Sequence, residues 1–167
     1  ALLDGKIVPQ FNKLQGFCFP LHAINLYFLT GESKEYLRQL EDCLIRFDTW
    51  LHNTRDTDGD GVLESFCVYD TGEDNAMRYG DAPCWWEEDT PPQGNSFVPM
   101  ASMDITSFSF ACRSTLANIA DLLKNGRQEE WQQKAKAVQH ALIEKLWDRE
   151  KSACFDLYPG GRKQTVL

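Results

Sequence analysis

The feature that most constrains this chain is a pattern occurring twice: an apolar helical stretch, a glycine turn, then an amphipathic helix rich in charge. From Ser33 to Leu51, Leu37, Leu40, Leu44, Phe47 and Leu51 recur at three- and four-residue intervals. Tyr36, Cys43, Ile45 and Trp50 widen the stripe and charges take the other face, which predicts a long amphipathic helix. The preceding LHAINLYFL is apolar all round and closes at Thr30-Gly31, so it reads as a buried helix paired to the next through a short turn. Further on, Asp104 is placed to cap a helix reaching about Lys124, with Phe108, Cys112, Leu116, Ile119 and Leu123 in register and Asn125-Gly126 as its stop. Its partner runs from about Gln128 to Trp147, with Trp131, Ala135, Val138, Leu142 and Leu146 facing inward. The turns LTGES and LKNGRQ correspond, and strand patterns are nearly absent. The expected fold class is all-α, built of stacked antiparallel helix pairs. Such pairs bury their inner helices only when neighbours flank them, so the chain reads as part of a larger array. The alternative is a self-sufficient small helical bundle with long loops.

Between the hairpins, residues 52–103 form a stretch that no simple bundle requires. Loops of that length are functional or disordered. Phe66, Tyr69, Tyr79, Trp85, Trp86 and Phe97 give this one too much aromatic surface to remain solvated. Its first part places Asp56, Asp58 and Asp60 at alternate positions before Gly61, with the Val62 backbone and Glu64 following. Converging carboxylates around a glycine turn suit a calcium ion. The twelfth position of an EF-hand is Cys67 here, which argues against a calcium-regulated helical protein and leaves a structural cation or a solvated Asp/Gly turn.

The second part, Thr71-Gly72-Glu73-Asp74-Asn75-Ala76-Met77-Arg78, gathers carboxylates, an amide and a guanidinium beside aromatics. Cleaving a glycosidic bond needs a protonated carboxyl to give its proton to the leaving oxygen, polar groups to hold hydroxyls, and aromatic faces to stack on sugar rings. Glu73 and Asp70 flank Asp74 and would raise its pKa by like-charge repulsion. Trp85 and Trp86 form either a sugar platform or an aromatic pair pinning the loop.

A formal charge of -8 and a pI near 4.8 oppose a nucleic-acid or anionic-membrane partner and leave neutral ligands favoured. No apolar run approaches the roughly 18 residues a bilayer span needs, and ALLDGKIVPQ lacks a secretory pattern. Six cysteines, Cys18 among them, are spread singly without metal spacing and read as reduced and structural, in keeping with a cytoplasmic location. His22, His52 and His140 have no spaced partners and read as core or surface residues.

The run Trp50…Arg55-Asp56-x-Asp58-Gly59-Asp60-Gly61-x-Leu63-Glu64, then Gly72-x-Asp74-Asn75-x-x-Arg78, then the helix from Asp104 and Leu146-Trp147-Asp148, resembles glycoside hydrolase family 63. It is similar also to trehalases and to the mannosylglycerate and glucosylglycerate hydrolases. The resemblance spans most of the chain and implies a single partial (α/α)-barrel catalytic domain over residues 1–167, a piece of an (α/α)6 toroid, with 52–103 as its functional loop. It implies an inverting glycosidase acting on an α-linked gluco- or manno-configured sugar, an oligosaccharide or small glycoside. Asp74 becomes the catalytic acid, Asn75 its neighbour in the pocket and Arg78 a substrate-binding guanidinium. Thr71, Glu73, Ala76 and Met77 depart from the family pattern, which leaves the sugar's identity open. The general base would be a Glu beyond residue 167, in the remainder of the barrel, so residues 1–167 alone are expected to be inactive. No organic cofactor is expected, only structural calcium. The reading from another class is a non-catalytic carbohydrate-binding or structural helical-repeat module.

Overall fold

The computed structural model describes residues 2–3, 6–7, 14, 19–72, 76–88 and 90–165. Among them four helices carry the architecture: α1 (Phe19–Leu29), α2 (Lys34–Arg55), α3 (Met103–Leu123) and α4 (Gln128–Lys145). They form two hairpins. Neighbouring α2 and α3 are antiparallel, since His52 meets Ser109 near one end, Asp48 meets Arg113 further along, and Glu41 meets Asn125 at the other end. The protein is predominantly helical, as the periodicity predicts.

Local chemistry sets the boundaries. The Ser33 hydroxyl accepts from the Tyr36 N–H at 3.3 Å and starts α2. That helix continues one turn past Leu51 because His52 and Arg55 find buried partners beyond the stripe. The cap of α3 is Ser102, not Asp104: its hydroxyl accepts from the Ile105 N–H, and Asp104 in the first turn is left to pair with Arg78. The same helix stops where Lys124 turns left-handed (φ 54°) and its N–H bonds the carbonyls of Ala120 and Asp121. α4 ends at Lys145 rather than Trp147, because Trp147 and Asp148 leave the helix to pair with Cys154 and Ala153.

The amphipathic faces meet as the stripes require. Leu37, Leu40 and Leu44 of α2 pack against Cys112, Leu116 and Ile119 of α3 and Trp131 of α4. A second cluster joins Leu51, Leu63, Ile105 and Phe108, with Phe47 and Trp50 on its edge. Across the seam Arg113 holds Asp48 with two bonds of 2.7 and 3.2 Å and donates to the Lys134 carbonyl, tying three helices through one partly buried polar node. The expectation of a wholly buried first helix is corrected. α1 buries only Pro20, Ile24 and Tyr27 against α2 and α3 and leaves Leu21, Leu26, Phe28 and Leu29 exposed, because no described residue covers its outer side.

Among the described residues there are also eight two-residue strands: β1 (Leu2–Leu3), β2 (Lys6–Ile7), β3 (Glu64–Ser65), β4 (Met100–Ala101), β5 (Trp147–Asp148), β6 (Ala153–Cys154), β7 (Leu157–Tyr158) and β8 (Arg162–Lys163). Strands β3, β4, β7 and β8 pair antiparallel in that order. They join the segments that leave α2, enter α3 and leave α4, so this small sheet gathers the long connection and the C-terminal segment at one end of the helices. None of the described helices is long and apolar enough to cross a membrane.

Candidate functional site

The acidic turn opens the long connection directly after α2. Carboxylate oxygens of Asp56, Asp58 and Asp60 lie within 4.8 Å of one another. Backbone donors hold them there: Gly61 N–H to Asp56 at 3.1 Å, Asp60 N–H to Asp58 at 3.2 Å, and Val62 N–H to Asp60 at 2.8 Å. Gly61 is left-handed (φ 84°) and so close to α4 that an added Cβ would lie 3.3 Å from that of Ala141, which explains the glycine there. From the same helix the Lys145 ammonium reaches Asp60 Oδ2 at 2.6 Å. Glu64 turns away from the cluster to accept from both the N–H and the hydroxyl of Thr57, and burial pushes its carboxyl up against those two bonds. The three aspartates can therefore hold a hard cation beside the ammonium of Lys145, with Glu64 bracing the turn.

Beyond this turn the connection is fastened by two buried arginines. Arg55, in the last turn of α2, faces Asp70 at 3.3 Å and lies 3.9 Å over the Phe66 ring, with both charged groups almost fully buried. The Phe66 N–H adds a 2.7 Å bond to Asp70. Burial raises the Asp70 pKa despite the opposing pull of Arg55 and that N–H. Asp70 is thus committed to Arg55.

Arg78 is the second node. Its guanidinium bonds Asp156 and Asp104 and reaches the Thr71 hydroxyl at 3.4 Å. Burial works against its charge, yet the neighbouring Asp156, Tyr79 and Asp104 hold its pKa above the usual value. The phenol of Tyr79 lies 3.2 Å from the Thr71 hydroxyl and 2.9 Å from that of Ser65. Val68, Tyr79, Val98, Met100 and Tyr158 form the apolar floor beneath. Beside it the Phe97 ring covers Gly80, where a Cβ would come within 2.3 Å of the ring.

Asp74 and Asn75, with Glu73, lie outside the described residues, as do Cys18 and Asp89. The two ends of the Asp74 stretch are described, and Arg78 and Tyr79 tie both to Thr71. Arg78 itself is only 6% exposed and engaged by carboxylates, so it faces the protein rather than open solvent. The tryptophans separate in role: Trp86 is half-buried and donates its indole N–H to the Thr90 carbonyl at 2.8 Å, pinning a turn, whereas Trp85 is 53% exposed. Backbone pairing of Tyr69 N–H with the Cys84 carbonyl brings exposed Tyr69 beside the Trp85 segment.

Two residues of this site escaped the sequence reading. From sequence Asp104 reads only as a cap. Asp156, fully buried, was not singled out at all. The visible signal was a lone carboxylate in the apolar run Phe155-Asp156-Leu157-Tyr158, which in a strand-like segment puts a charge where a core residue belongs.

Elsewhere the described residues offer little chemistry. His52 Nε2 lies 2.7 Å from the Ser109 hydroxyl and 3.7 Å from Asp48, so serine and aspartate face the same ring nitrogen and cannot form a proton relay; Ser109 is also fully buried. Burial, then Arg113, lowers the His52 pKa, which suits a neutral hydrogen-bonding residue between helices. His22 and His140 are exposed. The five described cysteines are free, with burial pushing the Cys67 and Cys112 thiols up to about 12, far from a reactive thiolate.

The structure thus presents paired helices with an aromatic, carboxylate-rich connection fastened at one end. The family model of the mannosylglycerate hydrolase MGH1-like glycoside hydrolase domain matches residues 12–166, and the chain belongs to that family. Searches of curated proteins and of solved structures find no significant match. Family membership supports glycoside hydrolysis, with a sugar as substrate.

Proposed function

We propose that the chain forms the acid-bearing part of an inverting glycosidase acting on an α-linked gluco- or manno-configured sugar, with Asp74 as proton donor to the leaving oxygen. The observation that carries this reading is the family match over residues 12–166, which runs through the Asp74 segment. The tied ends of that segment, Thr71 and Arg78, support it, since an acid must be held to fractions of an ångström to act. Asn75 holds a sugar hydroxyl and exposed Trp85 stacks on a ring, while Trp86 keeps the turn beneath in place. Arg78 serves the sugar through the loop it anchors. The helix pairs belong to an (α/α)6 toroid, whose remaining pairs supply the glutamate that activates water. In an inverting pair the carboxyls stand about 6.5–9.5 Å apart to admit that water. The test is product stereochemistry in the intact natural polypeptide: proton NMR during early turnover of an α-glycoside should show the β-anomer first. An α-anomer would discard inversion, and turnover by residues 1–167 alone would discard an external base. No turnover by the intact polypeptide would favour the non-catalytic carbohydrate-binding module instead.

Asp56, Asp58 and Asp60, with the Val62 backbone and Glu64 bracing the turn, are proposed to hold structural calcium. Lys145 competes for Asp60, so Lys145→Met should tighten calcium binding by removing a positive charge 2.6 Å from a ligand oxygen. Because calcium would bind the folded form, the melting temperature should climb with the logarithm of free ion, more steeply placed in Lys145→Met, and fall with chelator. Calorimetry without heat for either protein leaves the turn to Lys145 alone.

A further inference from the structure

We propose that Asp156 is a positioning residue for the Asp74 loop, acting through Arg78; this rests on the glycosidase reading above. Asp156 lies 78 residues along the chain from Arg78 and is completely buried. One of its oxygens accepts from the Arg78 guanidinium, the other from the Met103 N–H at 2.8 Å, so a single carboxylate joins the loop to the first turn of α3. The loop cannot shift along that helix without breaking a charge-assisted bond in a dry environment.

The anchor is itself held. The Gln164 N–H donates to the Asp156 carbonyl at 2.9 Å, and the Phe155 N–H to Leu146 at the end of α4. Two residues on, the Tyr158 hydroxyl donates to the Arg78 carbonyl at 2.8 Å, so backbone and side chain of Arg78 are both fixed from the C-terminal segment. Arg78 and Tyr79 in turn hold Thr71 across the loop. A buried carboxylate is costly unless its partners are in place, and burial raises the Asp156 pKa even beside Arg78. Ser102 caps the Ile105 N–H of α3 and Asp156 takes the Met103 N–H, so the carboxylate serves the helix start with one oxygen and Arg78 with the other. What the pairing adds is a fixed place for Arg78 and, through it, for Thr71, the described residues on either side of the segment that bears Asp74.

The experiment uses the intact natural polypeptide with Asp156→Asn, which keeps shape but removes charge, and Tyr158→Phe, which removes one hydroxyl should the first variant not fold. Both are assayed well below their melting temperatures on a natural glycoside and on the glycosyl fluoride, which needs no acid. Misplacing a catalytic group by about an ångström costs on the order of 10²-fold. Asp156→Asn should therefore lose roughly that factor in kcat on the glycoside, with KM nearly unchanged and much less loss on the fluoride; Tyr158→Phe should show the same contrast more weakly. Combined with Asp74→Asn, either substitution should cost little further, since the group it positions is already gone. Equal losses on both substrates, loss in KM alone, or full additivity with Asp74→Asn would each reduce Asp156 to a folding role and overturn the proposal. If Asp74→Asn slows the enzyme and neither variant does, only this inference falls. If Asp74→Asn is as fast as wild type, the glycosidase assignment of Asp74 falls and takes this inference with it.

Discussion

Asp74→Asn in the intact natural polypeptide is expected to slow hydrolysis of natural glycosides by about 10²–10⁴-fold, the usual contribution of general acid catalysis. The substitution nearly preserves the volume and shape of the side chain while removing the proton donor, so substrate binding should survive. Glycosyl fluorides should lose far less rate, because fluoride departs without protonation and only the acid-dependent step is impaired. Equal losses on both substrates would instead mark Asp74 as a binding or structural residue. Near-normal rates on natural sugars would move the acid to Glu73, since Asp70 is buried against Arg55 and the Phe66 N–H and is not free to approach a leaving group.

Arg55→Met should be the most damaging single change to stability outside the apolar core. It removes the partner of a buried carboxylate, a loss of about 3–5 kcal/mol. The Asp70 side chain is 1% exposed and cannot recover its charge–charge pairing from water. The cost should depend on pH in a definite direction. Burial already raises the Asp70 pKa, and without Arg55 it must rise further above the unfolded value. Between those two values the folded protein holds the extra proton, so stability falls as pH rises through that window. Urea unfolding of Arg55→Met should thus show a smaller deficit near pH 5 than near pH 8, and adding Asp70→Asn should recover part of the alkaline loss. A deficit independent of pH, or one within experimental error of zero, would mean that the pair does not anchor the connection.

These two outcomes probe parts of the molecule that were legible to different degrees. Helix α2 could be read from its stripe because Leu37, Leu40, Leu44 and Leu51 repeat with the period of a helix, and all four are buried. The turn at Asn125-Gly126 was legible because Gly126 takes a left-handed backbone (φ 79°) that few residues adopt, although the helix itself stops earlier, at left-handed Lys124. Candidate ligands and the acid segment were visible as dense polar chemistry among aromatics. Asp104 was misread as a cap because Ser102 and Asp104 both suit a helix start, and the choice depends on Arg78, which is distant in sequence. The outer face of α1 was misread because apolar composition shows what a helix could bury, not whether a neighbour is present.

The sequence by itself determined the helical periods, the hairpin turns and the acidic turn, because each is written in local spacing within one element or one short segment. Only the tertiary structure decided which charges meet. Lys145 reaches Asp60 across 85 residues, Arg78 reaches Asp156 across 78, and Asp48 takes Arg113 across 65. Trp86 and Trp85 were likewise told apart only by the fold, which half-buries Trp86 with its indole N–H on the Thr90 carbonyl and leaves Trp85 53% exposed. Buried charges impose this division: an ion pair is stable inside a protein only with its partner in place, and which residue becomes the partner is settled when helices and loops pack, not by the residues beside it in the chain.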